Sequence, residues 1–240
     1  MPKLNPSLRT LKPEIRDLLV APDFDSACNA ISGYGARKVI NLLISFYCHD
    51  DPLVRWRSIE ATGRIVSWHA DENMESARVI MRRFSWMLND ESGGIGWGVP
   101  EAMGEVLSAH KALCMEYNRL FLSYIQPACN FLEHPVLQRG LLWGISRLAS
   151  TQSMLVIPVL PHIKPFLASE DPYHRAFAAL IFGNTRSAQP DSPAVELPAD
   201  IVDQLCRDNA EIDLYEERVI KRKTVADLCG KISGSLRNNL

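Results

Sequence analysis

The sequence predicts an all-α protein in which tandem helix pairs stack into a solenoid. Three observations predict it. A motif recurs four times along the 240 residues, and apolar or small residues inside each copy follow the 3.6-residue helical period. No stretch reads as an alternating strand flanked by hairpin signals.

The four copies begin at Asp51-Pro52, Gly93, His134-Pro135 and Asp171-Pro172. Counted from Pro52, Gly93, Pro135 and Pro172, the frames lie 41, 42 and 37 residues apart. Eleven places into each frame stands a small residue: Gly63, Gly104, Ser146 and Gly183. Val54, Ser58, Ala61 and Ile65 fall at steps of 4, 3 and 4, as do Ile95, Val99, Ala102 and Val106, and Leu137, Leu141, Gly144 and Leu148. Those steps trace one face of a helix. Asp caps the free amides of a first turn and Pro is pre-organised there. His134 lacks the usual capping side chain, and Gly93-Gly94 replaces both residues.

An apolar helix precedes each motif. Residues 36–47 carry Val39, Leu42, Leu43 and Phe46; residues 74–88 carry Val79, Ile80, Phe84 and Met87; residues 117–132 carry Leu120, Tyr124, Ile125 and Phe131. Residues 154–167 are weaker, interrupted by Pro158, Pro161 and Pro165. The unit is helix, turn, helix, about 40 residues long.

The pattern Asp-Pro-x-Val-Arg-x-x-small-x-x-Ala-x-Gly at 51–63, echoed at 171–183, resembles the second helix of a HEAT repeat. More narrowly it is similar to the HEAT-like repeats of phycobilisome lyases. The resemblance covers roughly residues 35–186, strongest in the first and fourth units. It implies a right-handed α-α superhelix, and implies function only weakly, because such repeats serve many roles.

The expected organisation is a single domain. Residues 1–34 form N-terminal cap helices, with Leu8, Leu11, Ile15, Leu18 and Leu19 as the apolar stripe, because a solenoid must cover its open end. Four repeats fill 35–186, a Pro-rich loop follows at 187–199, and C-terminal capping helices are expected over 200–240, with Ile201, Leu205, Val219, Val225, Leu228 and Ile232 apolar. The cluster Arg218, Lys221, Arg222 and Lys223 reads as a solvated helix face, with a polyanion contact as the alternative.

The candidate binding site is a ladder. Four and eight places into the first three frames stand Trp56 and Glu60, Trp97 and Glu101, and Arg139 and Trp143. At 100° per residue these positions lie about 150° from the core stripe. The second helices of a solenoid commonly line its concave surface, and Trp and Arg are enriched at binding hot spots. A groove built on these six residues is one expectation. The other is that the rings pack between units, with Glu60 and Glu101 paired to Arg55, Arg57 or Arg139.

Gly93, Gly94, Gly96 and Gly98 form a glycine-rich run. A phosphate cradle normally follows a strand, and no strand is expected here. A bent helix start is the favoured explanation, with anion binding by free amides as the alternative. No metal is expected: the six histidines make no H-x-x-x-H pair, and no His-Glu dipeptide matches the iron-binding HEAT-type hydroxylases. No cofactor is expected, and no nucleophile elbow is present.

Net charge is −2, with 26 basic and 28 acidic residues, which argues against a dedicated nucleic-acid binder. The six cysteines make no Cys-x-x-Cys pair and are read as reduced thiols of a soluble, cytoplasmic protein without a membrane span. The expected function is non-catalytic binding of a protein or peptide partner on the concave face. A DNA-repair glycosylase built on similar helical repeats is the alternative, disfavoured by the charge balance, and a phycobilin lyase-like protein is a second.

Overall fold

The structure is a computed structural model, and it describes residues 8–89 and 95–233. It is a right-handed α-solenoid. Two helices, α1 (Leu8–Leu19) and α2 (Phe24–Ser32), cover the N-terminal end. Three helix pairs follow: α3 (Ala36–Ile44) with α4 (Pro52–Glu72), α5 (Met74–Leu88) with α6 (Val99–Ala109), and α7 (Lys111–Ser123) with α8 (Pro135–Thr151). In the fourth pair the first helix is broken into short α and 3-10 turns over residues 153–168, among them α9 (Ser153–Val156) and α10 (Leu160–Ile163). Pro158, Pro161 and Pro165 each open a new turn, as residues without a backbone donor must. The second helix, α11 (Pro172–Ala188), is intact.

The second helices start as the motif predicts. Asp51 accepts from the Leu53 amide at 2.8 Å and Asp171 from Tyr173 at 2.9 Å. His134 caps α8 after all, because its Nδ1 accepts from the Val136 amide at 3.2 Å. In α6 the helix starts later than its frame. Gly98 is the N-cap at φ +74, and an added Cβ would stand 2.7 Å from the Tyr47 side chain. Only glycine tolerates both the backbone angle and the approach. Ile95 therefore precedes the helix and is exposed, whereas the rest of the predicted stripe is buried. Gly93 and Gly94 lie outside the described residues.

Stacking of α4, α6, α8 and α11 depends on the small residues. A Cβ on Gly63 would come within 2.5 Å of Glu105 Cβ in α6. One on Gly104 would overlap the backbone of Gly144 in α8. The Ser146 carbonyl accepts from Asn184 in α11 at 3.1 Å. Equivalent positions thus meet at successive helix crossings, where missing side chains let backbones approach closely.

Polar contacts between units keep the period. Arg37 to Ser76, Tyr117 to Arg78 O, Tyr124 to Ser85 O and His174 with Pro135 O each span 39 residues, and Arg147 to Glu105 spans 42. This is the signature of a quasi-one-dimensional array.

The C-terminal region differs from the all-helical cap expected over 200–240. Helix α12 (Ala199–Cys206) and helix α13 (Val225–Ser233) are present, and α13 packs on α11 to close the stack. Between them lies an antiparallel hairpin of β1 (Glu211–Glu216) and β2 (Val219–Thr224). In β1 Ile212 and Leu214 are buried and Glu211, Asp213 and Glu216 are exposed. The turn residues Glu217 and Arg218 have φ of +51 and +66. A two-residue turn with both angles positive normally uses Asn-Gly or Asp-Gly. Glu-Arg carries no such signal, so the hairpin was hidden in the sequence.

Candidate functional site

The hairpin does not stand apart from the repeats. Tyr215 of β1 stacks on Trp56 of α4, with ring centroids 5.6 Å apart and planes 4° from parallel. Its hydroxyl donates to Glu60 at 2.6 Å. Burial and the Glu60 charge both push the Tyr215 phenol pKa well up, so it remains a donor. At the turn, the Arg218 carbonyl accepts from the Arg57 guanidinium at 3.3 Å. The Arg218 side chain pairs with Asp25 of α2 at 2.8 Å and with Glu60 at 3.3 Å. Arg218 therefore belongs to a buttressed turn, and the basic cluster read as a helix face is strand and turn instead. Lys221 pairs with Glu216 and Glu217, and Arg222 with Asp213 and Glu211.

The ladder residues do share one face. Trp56 of α4 and Trp143 of α8 touch, with centroids 4.7 Å apart, although α6 lies between their helices. Helices pack about 8–10 Å apart, so such contact needs a stack that bends toward these side chains. The face is concave. It is not an open row of rings, however. Trp143 is only 3% exposed, and Trp56 is half-buried between Trp143 and Tyr215. Glu60 faces Arg64 and Arg218 and accepts from Tyr215; it pairs with neither Arg55, Arg57 nor Arg139.

Trp56 and the hairpin divide the concave face in two. On one side Glu60 and Trp143 border a polar cleft of about 530 Å³ with Arg64, Glu105, Arg147 and Arg218. Its charges are matched: Arg147 pairs with Glu105 at 2.8 Å. The Glu105 carboxyl is pushed up chiefly by burial, against the pull of Arg147.

On the other side lies a more apolar cavity of about 540 Å³. Trp56, Trp97, Glu101 and Arg139 line it, four of the six ladder residues, from the starts of α4, α6 and α8. Tyr173 and Phe177 of α11 and Asp213 and Ile220 of the hairpin complete the wall. Trp97 is half-buried, with its ring set edge-on to His134 at 4.8 Å. Arg139 pairs with Asp171 at 2.5 Å and lies over the Tyr173 ring at 4.9 Å. Arg55 also lines the cavity and makes no ion pair among the described residues.

Glu101 is the unusual member. Its Oε2 is shut off from solvent and has no hydrogen-bond partner. The carboxyl packs against Gly140 of α8, where any Cβ would overlap it. Burial pushes its pKa up to about 7, opposed by its own backbone amide and by Arg55. The sequence singled out Glu101 but not Gly140, whose role depends on the neighbouring helix. Nor did it point to Tyr215, Asp213 or Ile220, which reach the site from about 120 to 160 residues away in sequence on an element not expected to exist.

Among the described residues no helix is long and apolar enough to cross a membrane, and no group of side chains is arranged to hold a metal. No family model matches the chain, and no curated protein matches it. Solved structures do. Two engineered proteins from the Northeast Structural Genomics Consortium are similar over nearly the whole length. One is 14% identical with a TM-score of 0.55, covering 97% of this chain and 92% of its own. The other is 12% identical with a TM-score of 0.56, covering 99% and 96%. An archaeal HEAT-like repeats protein from Thermococcus onnurineus NA1 is 16% identical with a TM-score of 0.41, covering 93% and 79%. At these identities a likeness speaks to the fold alone.

Proposed function

We propose that the protein is a non-catalytic interaction module that binds a peptide segment of a partner protein in the cavity between Trp56, Trp97, Glu101 and Arg139. The observation that carries this reading is convergence. Side chains at four successive second helices, plus the hairpin, surround one cavity that is aromatic on its walls and polar at a few points. Recognition sites for short segments have that composition. The six-residue ladder is thereby narrowed, because Glu60 accepts from Tyr215 of the hairpin and Trp143 is covered by Trp56.

The glycosylase alternative gains nothing from this geometry. A DNA-binding cleft needs surplus positive charge. On the concave face Arg64, Arg139, Arg147 and Arg218 are each paired with a carboxylate, leaving Arg55 alone among the cavity's arginines. The finer likeness to lyase-type HEAT repeats rests on the Asp-Pro frames at 51 and 171 and extends to no cavity residue.

Selection of peptides from a displayed random library on the full chain tests the reading. Selected peptides should lose at least about tenfold in affinity for Trp97→Ala with helicity unchanged, as truncating a hot-spot aromatic does. Peptides that bind the variant equally well would move the site elsewhere.

A further inference from the structure

We infer that the cavity is a socket for a cationic side chain, a lysine or arginine of the bound peptide, with the Glu101 carboxylate as its acceptor. The inference rests on the peptide-binding reading above and names the chemistry of the ligand.

Three independent features point there. First, the fold encloses a carboxyl and leaves one of its two oxygens without a donor. Glu101 Oε2 has no partner, whereas Glu60, Glu105, Asp171 and Asp208 all meet arginines. A buried acceptor without a donor is costly, and a ligand that brings a donor removes the cost. Second, room is kept for it. Gly140 stands where any larger residue would displace the carboxyl. Third, the walls suit a cation. Trp56, Trp97, Tyr173 and Phe177 line the same cavity, and aromatic faces attract ammonium and guanidinium groups.

The cavity's own cations do not compete for Glu101. Arg139 is held by Asp171. Arg55 forms no ion pair with Glu101 or with any other described residue. It is free to donate to a peptide carbonyl while the side chain of that peptide reaches Glu101. A peptide supplies both groups at once; a free amine or a bare anion supplies one.

Proton occupancy tunes such a socket. An acceptor that is protonated cannot hold a cation, so binding strengthens as Glu101 ionises. The other groups facing the cavity are Tyr47 and Cys48 before α4, Arg55, Arg139, Tyr173 and Asp213, with His134 behind Trp97. Burial pushes the Tyr47 and Cys48 protons further from neutrality.

The experiment uses the full chain and its tryptophan fluorescence, with five-residue acetylated and amidated alanine peptides carrying one central residue. Lysine and arginine are compared with acetyl-lysine and citrulline, which keep shape and lose charge. The cationic peptides should bind at least about tenfold more tightly, the ratio expected of a charge-assisted contact. Glu101→Gln should erase that preference, and with it the strengthening from pH 6 to pH 8. A pH dependence that survives in Glu101→Gln would count against the socket. Equal binding of charged and neutral peptides, or no binding of the cationic ones, overturns the socket. If peptides selected from the library then bind at Trp97 without a shared basic residue, the groove stands and only its assigned chemistry fails.

Discussion

The repeat stack and the C-terminal hairpin are held by opposite kinds of contact. Within the stack, tertiary hydrogen bonds join residues 32 to 42 apart, one unit to the next. Besides one bond of 40 residues, from the Asp213 amide to the Tyr173 hydroxyl, the hairpin's bonds span 155 residues at Tyr215–Glu60, 161 at Arg57–Arg218 and 193 at Arg218–Asp25. A stack of local contacts repeats in sequence and can be read from it. A closure that joins the last element to the first leaves no period. The difference explains why one region announces itself and the other does not.

Breaking the stack should cost most. Gly104→Val puts branched carbons into the backbone of Gly144 and must push α6 and α8 apart. Overpacking at a helix crossing costs about 3 kcal/mol or more, and urea unfolding should show it. A loss under about 1 kcal/mol would mean the crossing is loose.

Breaking the closure should cost less and act locally. Tyr215→Ala with Arg218→Ala removes the stack on Trp56, the bond to Glu60 and the pair with Asp25. We expect a loss of about 2 kcal/mol, from a buried aromatic and its hydrogen bond. Hydrogen exchange should then accelerate in β1 and β2 while α6 and α8 keep their protection. Uniform acceleration would show that hairpin and stack unfold as one unit.

Glu101 offers a third comparison, between a carboxyl with an arginine partner and one without. Its raised pKa means that the native chain keeps a proton at pH values where the unfolded chain has lost it. Stability therefore falls as pH rises from the ordinary glutamate value toward about 7, then levels. Glu101→Gln should flatten that slope and raise stability at pH 8 by about 2 kcal/mol. An unchanged slope would place the burden on another group.

Smaller effects belong to the hairpin tip. Glu217→Gly relieves a positive φ at an exposed position and should stabilise by about 1 kcal/mol, provided its pair with Lys221 contributes little, as exposed pairs do. Asp25 is held down to about 2 by Arg218 and then Arg64, so its hold on the turn persists above the ordinary aspartate range and lapses as pH falls through about 2. Exchange of the turn amides between pH 4 and 2 reads this directly.

Legibility followed the physics of each residue. Gly63, Gly104 and Ser146 were readable because helix crossings recur with the repeat. The ladder was readable as a face, since 100° per residue fixes which side chains point together. Its exposure was not, because Trp143 is covered by Trp56 from two units away and Trp56 by Tyr215 from the far end. The alternation of Ile212 and Leu214 carries no glycine in the turn beside it, and the helically spaced Val225, Leu228 and Ile232 that follow favour a helix. The Sγ atoms of Cys206 and Cys229, both expected to be reduced, lie 2.8 Å apart across α12 and α13.

The tie between Arg218 and Asp25 has a consequence for how such a chain can grow. Open arrays lengthen by duplicating a unit, because each new pair needs only two neighbours. Here an inserted pair would carry α2 about 10 Å further from the turn that grips it. Arg218, Tyr215 and Arg57 could not all keep their partners, so the count of units is set by the reach of the last strand back to the first helices.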